Sequence, residues 1–255
     1  MLTRTTTNTV AQLKRSHAIV GGVRTVRGLI TDVRVLVWLA KRNGRITTYL
    51  KAHPTVRKLQ LATSNNILEG WMNTDLLPSH DSVIYLDATR RFPFASSTFD
   101  YILAEHMIEH IGYDEGQRML RECFRVLKCG GRVRIATPDL RTLLALHSAE
   151  KTDSQTYYID WAIARLMPQV RECKDVFVIN NSFRAWGHCF LYDEETLRHA
   201  MHASGFRDIR FYKPGNSDDQ MLKNLESHGE EIGSEEINQF ETIVAEGRKE
   251  SGADV

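Results

Sequence analysis

Four ionisable side chains lie within six consecutive residues, in the run Glu105-His106-Met107-Ile108-Glu109-His110. Carboxylates and imidazoles at this density can move protons to and from a substrate or bind a divalent metal ion. Another histidine, His188, follows further along the chain in Trp186-Gly187-His188. The residue types predict a site with acid–base chemistry, with His106, His110 and His188 as its candidate catalytic residues.

The run from His106 to His110 also has the spacing H-x-x-E-H, which on a helix can turn two imidazoles toward one zinc ion. A zinc-peptidase motif of this kind lies inside a long amphipathic helix. Here an apolar, strand-like run enters the motif directly, and Gly112 interrupts the chain two residues after it. We therefore do not favour a peptidase.

The elements around this run predict a βαβ unit. Tyr101 to Ala104 is a short apolar run typical of a buried strand, and Asp114 is a candidate cap for a helix with apolar residues at helical spacing. Gly130-Gly131 predicts the end of that helix. Val133 to Ala136 predicts a second strand, after which Thr137-Pro138-Asp139 caps the next helix. Parallel sheets bind ligands at the carboxyl ends of their strands, where the ionisable run lies.

Further strands and one helix follow from the same kind of pattern. The predicted strands are Lys58 to Leu61, Asn73 to Asp75, Val83 to Leu86, Ile209 to Tyr212 and Phe240 to Ala245, and the predicted helix is Glu194 to Ala203. The segment at about 141–197 is rich in aromatic residues and is long for a crossover connection, which needs only about a dozen residues. It is a candidate lid or substrate-binding insert.

Charge is distributed unevenly along the 255 residues. Residues 1–60 hold 12 of the 33 Lys and Arg residues and one of the 32 acidic residues, a net charge of +11, whereas the remainder holds 21 basic and 31 acidic residues, a net −10. A basic arm of this kind can dock on the acidic body of its own protein or contact an anionic membrane. Residues 1–25 are expected to be loosely structured and residues 26–52 helical, with Val35 to Ala40 too short to span a bilayer.

Four segments together resemble the class I S-adenosylmethionine-dependent methyltransferases. They are the strand Phe-Asp-Tyr-Ile, the Glu105-His106 pair, Leu-Arg-Glu-Cys-Phe-Arg-Val-Leu-Lys-x-Gly-Gly and Arg-Ile-Ala-Thr-Pro-Asp-Leu. The segment Trp186-Gly187-His188-x-Phe190-x-Tyr192-Asp193 is also similar to one in close relatives of this class. The similarity runs from about Lys58 to Lys249.

This resemblance implies an α/β, Rossmann-like, doubly wound fold. Its sheet would have seven mainly parallel strands with an antiparallel last strand, and a basic N-terminal helical arm would precede it. The expected division is an arm at 1–56 and a methyltransferase domain at 57–250, with the lid insert at 141–197.

The resemblance also implies residues that hold S-adenosylmethionine. Where the family has Gly-x-Gly after the first strand, this chain has Ala62-Thr63-Ser64, and the rest of the loop matches. Asp75 resembles the acid that binds the ribose hydroxyls, and Asp87-Ala88 the pair beside the adenine. The expected cofactor-binding residues are Ala62, Thr63, Ser64, Asn66, Asp75, Asp87, Ala88 and Glu105.

Some methyltransferases of this class bind a divalent ion through an E-x-x-E-H motif and a later histidine. By that resemblance His106, in place of the first Glu, would join Glu109, His110 and His188 in a metal site. The other interpretation is a metal-free wall in which His106 faces the cofactor and His110 is a hydrogen-bonded structural residue. We expect the metal-free wall.

The function implied is S-adenosylmethionine-dependent methyl transfer to a small-molecule or saccharide-type acceptor, in the cytoplasm. No specific nucleic-acid partner is expected, since no RNA-binding module occurs in the sequence. The alternative is a binding module that keeps the fold and has a degenerate cofactor loop, Ala62-Thr63-Ser64, in place of catalysis.

Overall fold

The structure is a computed structural model that describes residues 34–250. The chain divides into two compact units, Met1–Thr48 and Tyr49–Val255, and each is considered by itself. The leader expected at residues 1–25 lies outside the described residues. From residue 34 the chain is helical to residue 52 (α1), as the sequence predicts for this stretch. Within residues 34–250, no helix combines the length and the apolar character needed to cross a membrane.

Seven strands form one sheet in the order β3-β2-β1-β4-β5-β7-β6. Their bounds are Lys58–Leu61 (β1), Met72–Asp75 (β2), Ile84–Tyr85 (β3), Phe99–Glu105 (β4), Leu127–Pro138 (β5), Arg207–Tyr212 (β6) and Thr242–Arg248 (β7). β1 to β5 pair in parallel, and β7 runs antiparallel to both of its neighbours, β5 and β6. The predicted Rossmann-like sheet with a reversed last strand is confirmed.

The centre of the sheet is apolar because its strands are covered on both faces. Ile102 and Leu103 of β4 are fully buried, and they pair with Val133 and Arg134 of β5. Amphipathic helix α2 (Tyr113–Val126) covers one face with Met119, Leu120 and other apolar side chains that lie on its buried side. The register of β4 and β5 brings Glu105 level with Ala136, at the carboxyl edge of the sheet.

Two details of the βαβ unit differ from the sequence-based expectation. Gly112, and not Asp114, is the N-cap of α2, and its backbone N–H donates to the Glu115 carboxylate at 3.1 Å. The helix ends at Val126, before Gly130-Gly131, and both glycines lie in β5. A Cβ atom at Gly131 would lie 2.9 Å from the carbonyl oxygen of Asp100, so glycine there permits the close pairing of β4 and β5.

The remaining helices form the layers and the connections around the site. They are α3 (Leu140–Ala145), α4 (Asp153–Leu166), α5 (Asp175–Arg184), α6 (Glu194–Ala203), α7 (His228–Ile232) and α8 (Glu235–Glu241), with short 3-10 turns at Ile108–His110 and Gln220–Leu222. The side chain of Asp139 caps α3, as predicted. A second apolar cluster, with Leu143, Tyr158, Ile163 and Ile237 among its members, joins α3, α4 and α8. The expected insert is therefore a packed helical layer beside the sheet.

Candidate functional site

A cavity of about 510 Å³ opens at the carboxyl ends of β1, β2, β4 and β5. It contains most of the residues that the sequence predicts for the site: Ala62, Thr63, Ser64, Asn66, Asp75, Glu105, His106, His110 and His188. Glu109 also lines it, as do groups from the insert and from the connection between β6 and β7. Asp87 and Ala88 are not part of its lining.

The loop after β1 keeps a backbone shape that glycine adopts most easily. Ala62 has a φ of 50° and Ser64 a φ of 49°, both in the left-handed region. The Thr63 N–H donates to the carbonyl of Thr74 at 3.0 Å, and the Ser64 N–H donates to the Asp75 carboxylate at 3.0 Å. The hydroxyl of Thr63 is buried and has no hydrogen-bond partner. The loop thus presents one unsatisfied polar atom at the cavity.

The two acids at consecutive strand ends have different surroundings. Asp75, the last residue of β2, lines the cavity and accepts N–H groups from Ser64 and Leu77. Asp87 accepts from the backbone and hydroxyl of Thr89, at 3.0 and 2.7 Å, and from Nε of Arg90 at 3.0 Å. Burial raises the pKa of Asp87, but these hydrogen bonds outweigh it and hold the pKa below its ordinary value. Asp87 therefore acts in a turn in this structure, while Asp75 faces the cavity.

Glu105 binds a distant segment of the chain. Its carboxylate accepts the N–H groups of Ser227 and His228, both at 2.8 Å, and the side-chain amide of Asn66 at 3.1 Å. The same Asn66 amide donates to the carbonyl of Leu225 at 2.9 Å. Burial raises the pKa of Glu105 despite these donors. Residues 225–228, which we call the strap, are therefore fastened to the cofactor-loop side of the cavity.

Glu226, which is also part of the strap, is held by a residue of the sheet. Arg134 of β5 is fully buried and forms ion pairs with Glu226 at 2.5 Å and Glu246 at 2.6 Å. A guanidinium can bind two carboxylates because its N–H groups form a rigid fork. This buried network fixes the position of Glu226. The residues on either side of Glu226 are held by Asn66 and Glu105.

His106 has acceptors at both ring nitrogens. Nδ1 lies 3.1 Å from Oε1 of Glu109, and Nε2 lies 3.2 Å from the hydroxyl of Thr242, which itself donates to Asn238 at 3.1 Å. Both nitrogens therefore donate, as in the imidazolium form. Burial alone lowers the pKa of His106, but the hydrogen bond and the charge of Glu109 raise it above its ordinary value. The ring stacks on His228 with 3.7 Å between centroids.

Glu109 is the fully buried partner of this histidine. Burial raises the pKa of its carboxyl, yet the hydrogen bond to His106 and the charge of that imidazole lower it below its ordinary value. Its other oxygen accepts from the hydroxyl of Thr137 at 3.0 Å. His106 and Glu109 form an ion pair, and His106 also lines the cavity.

A cluster with a spacing suitable for a metal ion is also present. Ligand atoms of Glu109, His110 and His188 lie within 4.8 Å of one another. The fourth member of the predicted metal set, His106, is not in this cluster and instead donates to Glu109. The structure therefore brings together three of those four residues.

His188 is oriented by the carbonyl of Ser182, to which its Nδ1–H donates at 2.7 Å. This bond fixes the tautomer and leaves the lone pair of a neutral ring on Nε2. Burial lowers the pKa of His188, which favours the neutral form. His110 lies beside it, with 5.0 Å between ring centroids, and its side chain is exposed. Of the three predicted catalytic histidines, His188 has the geometry of a base.

One wall of the cavity was not predicted from the sequence. The hydroxyl of Tyr158 in α4 donates to Oε2 of Glu241 at 2.5 Å, and Nε2 of His228 donates to Oε1 of the same carboxylate at 3.2 Å. Trp161, Glu231 and Ile232 also line this side. The sequence shows that residues 141–197 are rich in aromatic residues and residues 216–238 in acidic ones. Neither composition indicates that the two segments are in contact.

Comparison with known proteins supports the sequence resemblance. A family model described as a methyltransferase domain matches residues 33–135, which include β1 to β4 and most of β5. The match covers less than half of the chain and agrees with the resemblance seen in the sequence over those residues. No curated protein matches the chain.

Several solved structures are similar at low identity. An S-adenosylmethionine-dependent methyltransferase from Archaeoglobus fulgidus is 16% identical with a TM-score of 0.44, covering 85% of this chain and 94% of its own. A possible histamine N-methyltransferase from Thermotoga maritima is 15% identical with a TM-score of 0.43, covering 84% and 92%. The Haemonchus contortus phosphoethanolamine N-methyltransferase 2, in complex with S-adenosyl-L-methionine, is 15% identical with a TM-score of 0.41, covering 82% and 53%. The strand order of the sheet, and not these low scores, establishes the fold.

Proposed function

We infer that this chain, a methyltransferase-domain protein with the class I fold, is an S-adenosylmethionine-dependent methyltransferase that acts on a small-molecule acceptor. The observation that carries this inference is the loop after β1. Its backbone adopts the left-handed conformation at both positions where the family has glycine, although this chain has Ala62 and Ser64 there. A chain that had lost the site would gain stability by relaxing that backbone.

The residues around the loop suit the polar parts of the cofactor. The hydroxyl of Thr63 is buried without a partner, and a bound nucleoside or amino acid would satisfy it. The Asp75 carboxylate has lone pairs beyond its two backbone donors and would accept from the ribose hydroxyls. Glu105 and Asn66 would lie beside the amino-acid part. Asp87 and Ala88 stay proposed adenine contacts on the resemblance alone.

The cofactor, when bound, supplies a methyl group on a positively charged sulfur that is already a good leaving group. The protein therefore contributes mainly position and the exclusion of water. The strap closes one side of the cavity through its bonds to Glu105 and Asn66. Nε2 of His188 can take a proton from the acceptor, because Nδ1 is occupied by the Ser182 carbonyl.

A second candidate function is a ligand- or partner-binding module without catalysis. Ala62 and Ser64 favour it, because Cβ atoms occupy a loop in which family members have none. The saccharide-type acceptor, the cytoplasmic location and the contact of the basic arm with anionic membranes all stay predictions from the sequence.

Titration calorimetry with S-adenosylhomocysteine, followed by a label-transfer assay with methyl-labelled S-adenosylmethionine and a pool of small molecules, tests the proposal. We expect one molecule of S-adenosylhomocysteine to bind per chain and label to appear in the small-molecule fraction. Binding without any transfer would favour the binding module. An absence of S-adenosylhomocysteine binding would refute the methyltransferase and favour a module with a degenerate cofactor loop.

A further inference from the structure

The walls of the cavity are rich in carboxylates. Five carboxylates line it, Asp75, Glu105, Glu109, Glu231 and Glu241, and within residues 34–250 no Lys or Arg contributes to its lining. Two of them contact imidazoles: Glu109 lies 3.1 Å from Nδ1 of His106, and Glu241 accepts from Nε2 of His228 at 3.2 Å. A partly enclosed site lined by one sign of charge concentrates ligands of the opposite sign.

These carboxylates lie in two parts of the cavity. Asp75 and Glu105 adjoin the loop after β1, where the cofactor is proposed to lie. Glu109 is balanced by His106 in a buried ion pair. Glu231 and Glu241 lie on the far wall, in and beside the helices between β6 and β7. They give that wall a negative charge, and neither residue is among the proposed cofactor contacts.

Aromatic side chains stand beside that charge. Tyr158 donates to Glu241 at 2.5 Å, and its ring stacks with the ring of Trp161 at 6.5 Å between centroids. Burial and the charge of Glu241 raise the pKa of Tyr158 well above its ordinary value, so the phenol stays a donor. Trp186, about half exposed, lines the cavity as well. A carboxylate beside aromatic faces is the arrangement that binds an ammonium group through charge and cation–π attraction.

We propose that the acceptor is an organic amine with an apolar body, bound with its nitrogen near Glu241 and Glu231 and its body against Trp161. This inference rests on the proposed function, since it assigns the substrate class of the same cavity. Apolar support comes from Leu143, Leu166 and Ile232, which line the same cavity. The negative wall disfavours carboxylate and phosphate acceptors, because like charges repel at low dielectric.

Methylation of an amine is chemically balanced with the groups at hand. The bound ammonium first gives one proton to Nε2 of neutral His188 or to water. The nitrogen lone pair then forms a bond to the methyl carbon while the carbon–sulfur bond breaks, and that electron pair stays on sulfur. The products are a methylated ammonium and S-adenosylhomocysteine. The carboxylates of Glu241 and Glu231 bind the ammonium group of the substrate before the transfer and that of the product after it. Their role is therefore in binding.

Three phenyl ligands that differ in their polar group, with methyl glucoside as a saccharide comparison, test this assignment. The full chain is saturated with S-adenosylhomocysteine and titrated with 2-phenylethylamine, 2-phenylethanol, 3-phenylpropanoate and methyl glucoside, followed by calorimetry. We expect 2-phenylethylamine to bind at least about tenfold more tightly than the other three, which corresponds to about 1.4 kcal/mol. Binding of S-adenosylhomocysteine itself is measured first, so a failure of the proposed function is visible separately.

Single substitutions test whether the preference for the amine depends on the wall that carries Glu231 and Glu241. Glu241→Gln and Glu231→Gln should each reduce the preference for the amine, and Glu231, which is exposed, can be changed with little risk to folding. Glu236→Gln is the control, because Glu236 is exposed on α8 and does not line the cavity. A panel in which the amine binds no better than the matched alcohol or acid overturns the proposal. So does a preference that the Glu241 and Glu231 variants leave intact.

Discussion

Nδ1 of His106 lies 3.1 Å from Oε1 of Glu109; the Glu109 side chain is fully buried and the His106 side chain is 14% exposed. The pKa of His106 is raised above its ordinary 6.5 and that of Glu109 is lowered below its ordinary 4.5, in each case against the effect of burial. Glu109 contributes stability that is lost as pH falls through its lowered pKa. His106 contributes stability that is lost as pH rises through its raised pKa. The pair therefore stabilises the fold most between about pH 4.5 and 6.5.

Removing one partner of this pair should show the pH window directly. Glu109→Gln should lower the free energy of unfolding by about 3 kcal/mol near pH 6, since it leaves His106 without its counter-charge. The difference from wild type should shrink as pH rises above the pKa of His106. Urea unfolding at several pH values measures both effects. His199→Asn, an exposed change on α6, is the control, and a Glu109→Gln effect independent of pH would contradict the ion pair.

Asp75 should contribute directly to cofactor binding. Asp75→Ala removes the acceptor proposed for the ribose hydroxyls and should weaken S-adenosylhomocysteine binding by about 1–3 kcal/mol. Calorimetry of this variant beside Asp114→Ala, an exposed acid in the first turn of α2, separates a site effect from a change in overall charge. Equal affinity in wild type and Asp75→Ala would remove Asp75 from the cofactor site.

The loop after β1 should tolerate a return to glycine. Ala62→Gly with Ser64→Gly relieves two left-handed positions, each costing about 1–2 kcal/mol for an L-residue, although glycine loses more chain entropy on folding. We expect an equal or higher melting temperature and equal or tighter S-adenosylhomocysteine binding.

A matched control for the loop is Ser97→Gly. Ser97 has a φ of 54° in the turn before β4 and does not line the cavity. It should change stability in the same direction without changing cofactor affinity. Markedly weaker binding in the loop variant alone would show that the Ser64 side chain contacts the cofactor.

The cluster of Glu109, His110 and His188 gives a prediction about metals. Glu109 is already ion-paired with His106, so a metal ion would have to compete with that charge for the carboxylate, whose other oxygen accepts from Thr137. We expect no stoichiometric zinc, magnesium or manganese in the purified protein, and no effect of chelators on activity. Elemental analysis of wild type beside His110→Ala, with His199→Ala as a control, tests this. One equivalent of metal that His110→Ala alone abolishes would establish the metal site.

Local signals predicted most of the sheet, but the last strand, predicted at Phe240 to Ala245, lies at Thr242–Arg248, because Phe240 belongs to α8. β1 at Lys58–Leu61 and α6 at Glu194–Ala203 have the predicted bounds, because each carries its own apolar pattern and end signals. The start of α2 was placed wrongly at Asp114, since a capping acid and an acid in the first turn look alike in sequence. The glycines after α2 were read as a helix end, whereas Gly131 serves the close pairing with β4.

Apart from His188, which the segment Trp186-Gly187-His188 indicated, the candidate site was predictable where residues follow a strand. Ala62 to Asn66, Asp75 and Glu105 were found because the carboxyl ends of parallel strands meet at one edge. His228 and Glu241 were missed because the segment that carries them has no period linking it to the sheet. Its position depends on contacts such as Arg134 to Glu226, which join residues 92 positions apart.

The strap has a consequence for the order of events in a catalytic cycle. Ser227 and His228 cover Glu105 on the cofactor side, while His228 also donates to Glu241 on the acceptor wall. One short segment thus forms part of two compartments. A movement of the strap away from Glu105 would open the cofactor side and the acceptor side of the cavity together. On this side of the cavity the two ligands would therefore exchange in the same event. If product and S-adenosylhomocysteine leave by this side of the cavity, one movement of the strap would release both.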